Sequence, residues 1–186
     1  MIWARRSIRL PTQDYAESGA YFITICTHEG KHVFGNVAEG RVYLSYEGRA
    51  VSRAWEWLEA QYDYVRLDEW VVMPNHLHGI IVITDGPLKR ASPGSDYSEN
   101  APRTYGTTVL GGGSTTAGAQ RRKPVGRLIG AFKTVSTKRI NEWRHTPGGR
   151  LWQRNYYDRV VRSDVDMHRI RQYIADNPKH WRQNRG

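Results

Sequence analysis

In the run VVMPNHLHGIIVI, residues 71–83, two histidines stand one residue apart in a segment that is otherwise almost wholly apolar. Side chains two apart on a strand share a face, so His76 and His78 project together while Leu77 turns to the other side. Two adjacent imidazoles would repel if both were protonated, and would cost free energy if desolvated without partners. A bound cation removes both penalties, and imidazoles at this spacing can close on one ion while leaving positions for water or substrate oxygens. The alternative is a pair of hydrogen-bonded histidines at a strand end, and spacing alone does not choose between the two. No Cys pair and no HExxH helix supplies the rest of a zinc site, so a third ligand must come from elsewhere.

The final helical segment offers one. In HRIRQYIADNPKHW, residues 168–181, Tyr173 lies beside an apolar stripe and Asn177 follows four residues later, on the same side one turn on. The Asn177 amide oxygen suits a hard cation, although Pro178 biases Asn177 away from helical angles. A tyrosine hydroxyl, with an ordinary pKa of about 10, is a poor nucleophile at neutral pH unless the phenolate is stabilised or its proton is taken. A metal ion helps from the other side by polarising a phosphodiester and stabilising the leaving oxygen. Taken alone, Tyr173 reads as a packing residue at a helix edge with its hydroxyl in water.

These residues need a scaffold, and 186 residues suffice for one compact domain, 1–186, with a real core. No run reaches the roughly 20 apolar residues that span a bilayer, and MIWARRSIRL lacks the apolar centre of a secretory signal. A cytoplasmic protein with no membrane partner is expected. The single cysteine, Cys26, sits in the strand-like YFITICT and reads as a small core residue. With 28 Lys and Arg against 18 Asp and Glu, the net charge of +10 favours a polyanion, nucleic acid first. The basic residues gather near the N-terminus (Arg5, Arg6, Arg9), in Arg121, Arg122 and Lys123, along the next helix, and at the C-terminal end. Seven Trp and eleven Tyr lie among them, suited to stacking on unpaired bases, although for any one ring the core is the plainer destination.

Along the chain, 20–27 read as a buried strand, HVFGNVAEGRVYLSYEG as a hairpin broken at Glu39-Gly40, and 47–62 as a helix. Residues 65–73 and 76–84 read as strands joined by Pro74-Asn75, too short for a crossover and hence antiparallel. A Gly, Ser, Thr and Pro-rich stretch, 85–123, carries no sustained period and reads as a long flexible polar loop. Helical spacing returns over 126–143, with Leu128, Phe132, Val135, Ile140 and Trp143 towards the core and Arg127, Lys133, Lys138 and Arg144 outward, where they would also make a phosphate rail. Then come an alternating strand in RLWQRNYYDRVVR and a last helix capped by Ser163 or Asp164, with Met167, Ile170 and Ile174 as its stripe. Without the hairpin and last helix the order is βαββαβ. The expected class is α+β, a ferredoxin-like antiparallel sheet with helices on one face plus a C-terminal helix carrying the tyrosine.

Together these blocks resemble the single-tyrosine HUH transposases, and within them the REP-associated tyrosine transposases. HUH stands for His, hydrophobic, His, which HLH at 76–78 fits within VVMPNHLHGIIV; YFITICT, LIGAFKTVSTKRIN and LWQRNYYDRVVRSDVDMHRIRQYIADNPKHW match in the right order. The likeness spans the chain except for the hairpin region and the long polar loop. It implies that His76 and His78 bind a divalent metal, Mg²⁺ or Mn²⁺, with Asn177 as a further ligand. It also implies that Tyr173 attacks a 5′ phosphate of single-stranded DNA, giving a 5′ phosphotyrosine and a free 3′ hydroxyl. The implied partner is single-stranded or hairpin DNA, with phosphates met by Arg5, Arg6, Arg121, Arg122, Lys123, Lys133 and Lys138. Tyr156 and Tyr157 rank below Tyr173 as nucleophiles because they fall on a strand. A monomer and a homodimer sharing sites are both compatible with the family. Two other readings stand beside this one: a domesticated hairpin-binding protein that no longer cuts, and a metal-dependent hydrolase that uses water.

Overall fold

The computed structural model describes residues 18–86 and 122–181. Its elements are β1 (Gly19–Cys26), β2 (Gly35–Ala38), β3 (Arg41–Leu44), α1 (Tyr46–Gln61), β4 (Val65–Met73), β5 (His76–Ile83), α2 (Val125–Arg144), β6 (Tyr157–Val161) and α3 (Asp164–Asp176). Four strands form one antiparallel sheet in the order β4-β5-β1-β6. That is the ferredoxin-like order: each βαβ half is split by a strand of the other, and the sequence-based class is borne out. The separate ribbon β2-β3 turns at Glu39 and Gly40, both at positive φ (52° and 71°), as a two-residue hairpin requires.

Alternation along β1 and β5 gives the sheet two apolar faces. Tyr21, Ile23, Ile25, Leu77, Ile81 and Ile83 pack with Val51, Ala54, Trp55 and Leu58 of α1 and with Leu128, Phe132 and Ile140 of α2. On the other face Phe22 and Ile80 pack with Ile170 and Ile174 of α3. The last helix therefore lies on the opposite side of the sheet from α1 and α2, on the face that carries the histidines. Its predicted stripe is the one it buries, and Ser163 Oγ caps it by accepting from Asp166 N–H.

Gly79 is where α1 comes closest to the sheet. A Cβ built there would stand 2.6 Å from the Trp55 ring, and Trp55 is fully buried. Gly79→Ala is expected to lower stability by about 1–3 kcal/mol through overpacking, read as a lower midpoint in thermal or urea unfolding. An unchanged midpoint would show that α1 can retreat freely from β5.

Three expectations change at this level. The strand predicted in RLWQRNYYDRVVR, residues 150–162, runs along β1 continuously only from Tyr157, with one isolated bridge between Trp152 and Thr27 before it. Trp152 instead turns into the core, where its Nε1–H donates to Ser136 Oγ at 2.9 Å. Trp143, expected in the core, is half exposed. Asn177, at the end of α3, keeps helical angles (φ −55°, ψ −42°) in spite of Pro178, because its N–H closes a tighter turn onto Ile174 O.

Candidate active site

Register brings the site together. Pairing of β1 with β5 sets Thr24 opposite His78 and Cys26 opposite His76, and cross-strand partners share a face. The Thr24 hydroxyl lies 2.8 Å from His78 Nδ1, and the Asn75 side-chain oxygen 2.7 Å from His76 Nδ1. An amide oxygen only accepts, so His76 Nδ1 carries the proton and its Nε2 keeps a lone pair. Asn75 is itself oriented by donating to Gly30 O. The Thr24 hydroxyl can donate or accept, and as an acceptor it would give His78 the same tautomer.

Helix α3 meets both rings. The Tyr173 hydroxyl stands 3.4 Å from His78 Nε2, a long hydrogen bond, and the Asn177 side chain comes up to His76. The spacings match. Four residues of helix rise about 6 Å and two of strand about 6.7 Å, so Tyr173 and Asn177 can each face one histidine when α3 runs against β5. The imidazoles are 4.5 Å apart between centroids. Phe22 stacks on His78 at 5.5 Å and meets the Tyr173 ring edge-on at 6.0 Å, filling the angle between them. All of these groups belong to one chain.

Burial holds both histidines neutral. His76 is pushed down to about 4, chiefly by desolvation, and His78 is held well below the ordinary histidine value by burial and by its neighbour His76. Neutral imidazoles with Nδ1 engaged can ligate a metal through Nε2. Among the described residues no cluster of three or more His, Cys, Asp or Glu could hold an ion. A metal here would rest on two imidazoles and the Asn177 amide, with its other positions open to water or phosphate oxygens. This donor set fits a hard divalent cation that keeps several such ligands.

Sequence reasoning missed the side chains that steer these groups. Asp68, on β4 beside a register irregularity, forms a bidentate ion pair with Arg171 of α3, at 2.7 Å for each bond. The Asp68 side chain is only 7% exposed, so the pair fixes the rotation of α3 two residues from Tyr173. Arg171→Ala, which leaves that carboxylate the Glu69 N–H but no guanidinium, is expected to cost about 1–3 kcal/mol in denaturant unfolding, and Arg171→Lys should recover only part of it. If Arg171→Ala melts like the parent, the apolar stripe alone holds α3. A signal existed for Asn75, adjacent to His76, and for Thr24, the polar residue inside β1; none in the chain pointed to Asp68 with Arg171.

Among the described residues the expected phosphate contacts do not form one group. Arg5, Arg6 and Arg121 lie outside the described residues. Arg122 donates to Thr84 O and Asp85, and Lys123 reaches the Tyr62 hydroxyl. Both stand past the far end of β5 from the histidines, roughly 25 Å along the strand. Lys133 donates to the backbone carbonyls of Gln153, Arg154 and Asn155, so its three donors clip that loop to α2. Desolvation lowers its pKa to about 8. Lys138 is exposed on α2, 3.9 Å from Glu142. Tyr156 packs against the α1–α2 core, away from the histidines, whereas Tyr157 pairs with Thr24, shares the histidine face and is 45% exposed.

This fold is that of a tyrosine transposase. The structure of a REP-associated tyrosine transposase bound to a REP hairpin superposes with a TM-score of 0.54 over 92% of this chain and 73% of that chain, at 14% identity. The resemblance read from the sequence blocks is borne out at the level of the fold. It belongs to one family with an uncharacterized protein of Haemophilus influenzae, 32% identical over 97% of this chain and 91% of that protein. No protein-family model matches. Among the described residues no helix is long and apolar enough to cross a membrane.

Proposed function

We propose that the protein cuts and rejoins single-stranded DNA, hairpin DNA in particular, with Tyr173 as nucleophile and His76, His78 and Asn177 as the ligands of Mg²⁺ or Mn²⁺. The observation that carries this is the Tyr173 hydroxyl set 3.4 Å from His78 Nε2 on the face where both imidazoles converge. The hairpin substrate is drawn from the structural neighbour, whose ligand is a REP hairpin.

A divalent ion at the histidines would polarise the phosphodiester and stabilise charge on the departing oxygen. The chain's own groups do the rest. Phe22 meets the Tyr173 ring edge-on and limits its movement, so its oxygen stays within reach of a phosphorus seated over the imidazoles. The phenol oxygen forms the new bond to phosphorus, its proton passes to solvent, and the bond to the 3′ oxygen breaks. That oxygen leaves with the electron pair and takes a proton to become a 3′ hydroxyl. The energy of the broken ester stays in the phosphotyrosine, so attack by a 3′ hydroxyl can later rejoin DNA without a nucleotide cofactor.

The hydrolase reading leaves Tyr173 idle, and the binding-only reading leaves the two neutral imidazoles without purpose. A single incubation separates the three. Labelled hairpin single-stranded DNA with Mg²⁺ or Mn²⁺ should give a protein-DNA adduct that survives denaturation. Cleavage without an adduct would favour the hydrolase, and tight binding without cleavage the binding protein.

A further inference from the structure

We propose that a groove between α1 and α2, on the side of the sheet opposite the histidines, is a second binding site for single-stranded DNA. Tyr46, Arg49 and Arg53 fall at i, i+3 and i+7 on α1, and Arg139, Glu142 and Trp143 at i, i+3 and i+4 on α2, so each set forms one stripe. The two stripes face across a cavity of about 490 Å³.

Its chemistry is that of a stacking platform with cations beside it. The Tyr46 and Trp143 rings stack at 4.1 Å and 22°, yet remain 41% and 50% exposed. A paired aromatic stack at the surface leaves ring faces open to a flat partner, and every base presents a π face. Three guanidiniums line the groove against the single carboxylate of Glu142, which also reaches towards Lys138. Among the described residues neither Arg53 nor Arg139 has an acidic partner, whereas Arg144, one residue past Trp143, is paired with Glu47. Unpaired guanidiniums beside exposed rings suit a phosphate backbone whose bases are free to stack, and a duplex keeps its bases inside.

The location suits a strand that also visits the histidines. Ser45, which caps α1, donates its N–H to Phe34 O, and Phe34 donates to Pro74 O, two residues before His76. The groove therefore opens at the histidine end of the sheet, and a strand rounding that end passes from one face to the other. The site is inferred from α1 and α2 alone and does not require cleavage at Tyr173.

The test measures binding of a fluorescent single-stranded DNA of about 20 nucleotides to full-length protein without divalent metal, across a salt series. Trp143→Ala should weaken binding roughly tenfold, with Trp143→Phe recovering most of it. Arg53→Ala with Arg139→Ala should also weaken binding and lower the salt slope by about 1.4, that is about 0.7 for each phosphate no longer neutralised. Circular dichroism melts matching the parent would exclude misfolding, and duplex DNA of the same length should show no Trp143 effect. Parent-like affinity and slope in both variants would overturn the proposal. So would an equal Trp143 loss on duplex DNA, or an effect confined to a monomer–dimer equilibrium seen by sedimentation, which would make the groove an interface between copies.

Discussion

Tyr173→Phe is expected to bind hairpin DNA as the parent does and to form no covalent adduct, with strand cleavage reduced by more than about a thousandfold. The substitution removes one oxygen and leaves the ring that meets Phe22 edge-on at 6.0 Å. Tyr173 is 52% exposed, so the change should shift stability by no more than about 0.5 kcal/mol. A fall in cleavage then reports on chemistry and not on folding. The measurement is a denaturing gel of labelled DNA beside a binding titration on the same preparations. Cleavage that persists without an adduct would transfer the attack to water.

The second large effect concerns the imidazole pair. Replacing both His76 and His78 with Ala should abolish detectable Mn²⁺ binding at the site and reduce adduct formation by about a hundredfold or more. Their second partners make the effect specific: Asn75 and Thr24 engage the Nδ1 atoms and leave Nε2 of each ring on the side where Tyr173 and Asn177 stand. Metal titration in the Tyr173→Phe background separates the ion from the nucleophile, because that variant should bind Mn²⁺ as the parent does. His78 is buried against Phe22, so its removal also costs packing and needs a folding control. Unaltered Mn²⁺ affinity in the double variant would place the ion elsewhere.

The local patterns that were legible in the chain are those set by period and by neighbours in sequence. Alternation in 76–83 put His76 and His78 on one face, and the i, i+4 spacing put Tyr173 and Asn177 on one side of α3; the structure has both. The short Pro74-Asn75 link implied an antiparallel β4-β5 pair, and the pair forms. Long-range partners were not legible. Lys133 reads as an outward cation on helical spacing, yet three carbonyls from residues 153–155 converge on it, and no local rule announces them. The same loop explains why the last strand starts late: its carbonyls serve Lys133 and Trp152 bonds Ser136 in the core, leaving Tyr157–Val161 as the continuous stretch that pairs with β1. Trp143 fits the core period of α2 but sits in its last turn, past the reach of the sheet, where Tyr46 covers one ring face. Which side of the sheet α3 would take could not be read from the order of elements. The matching apolar residues on α3 and on the histidine face of β1 and β5 decide it.

The most direct test is to digest the DNA-linked protein with protease and nuclease and to locate the nucleotide-bearing residue by mass spectrometry. A phosphonucleotide on Tyr173, in the peptide that contains QYIADNPK, is the predicted result. A nucleotide on Tyr157, which shares the histidine face, or on Tyr156 would contradict it, as would cleaved DNA with no modified tyrosine at all.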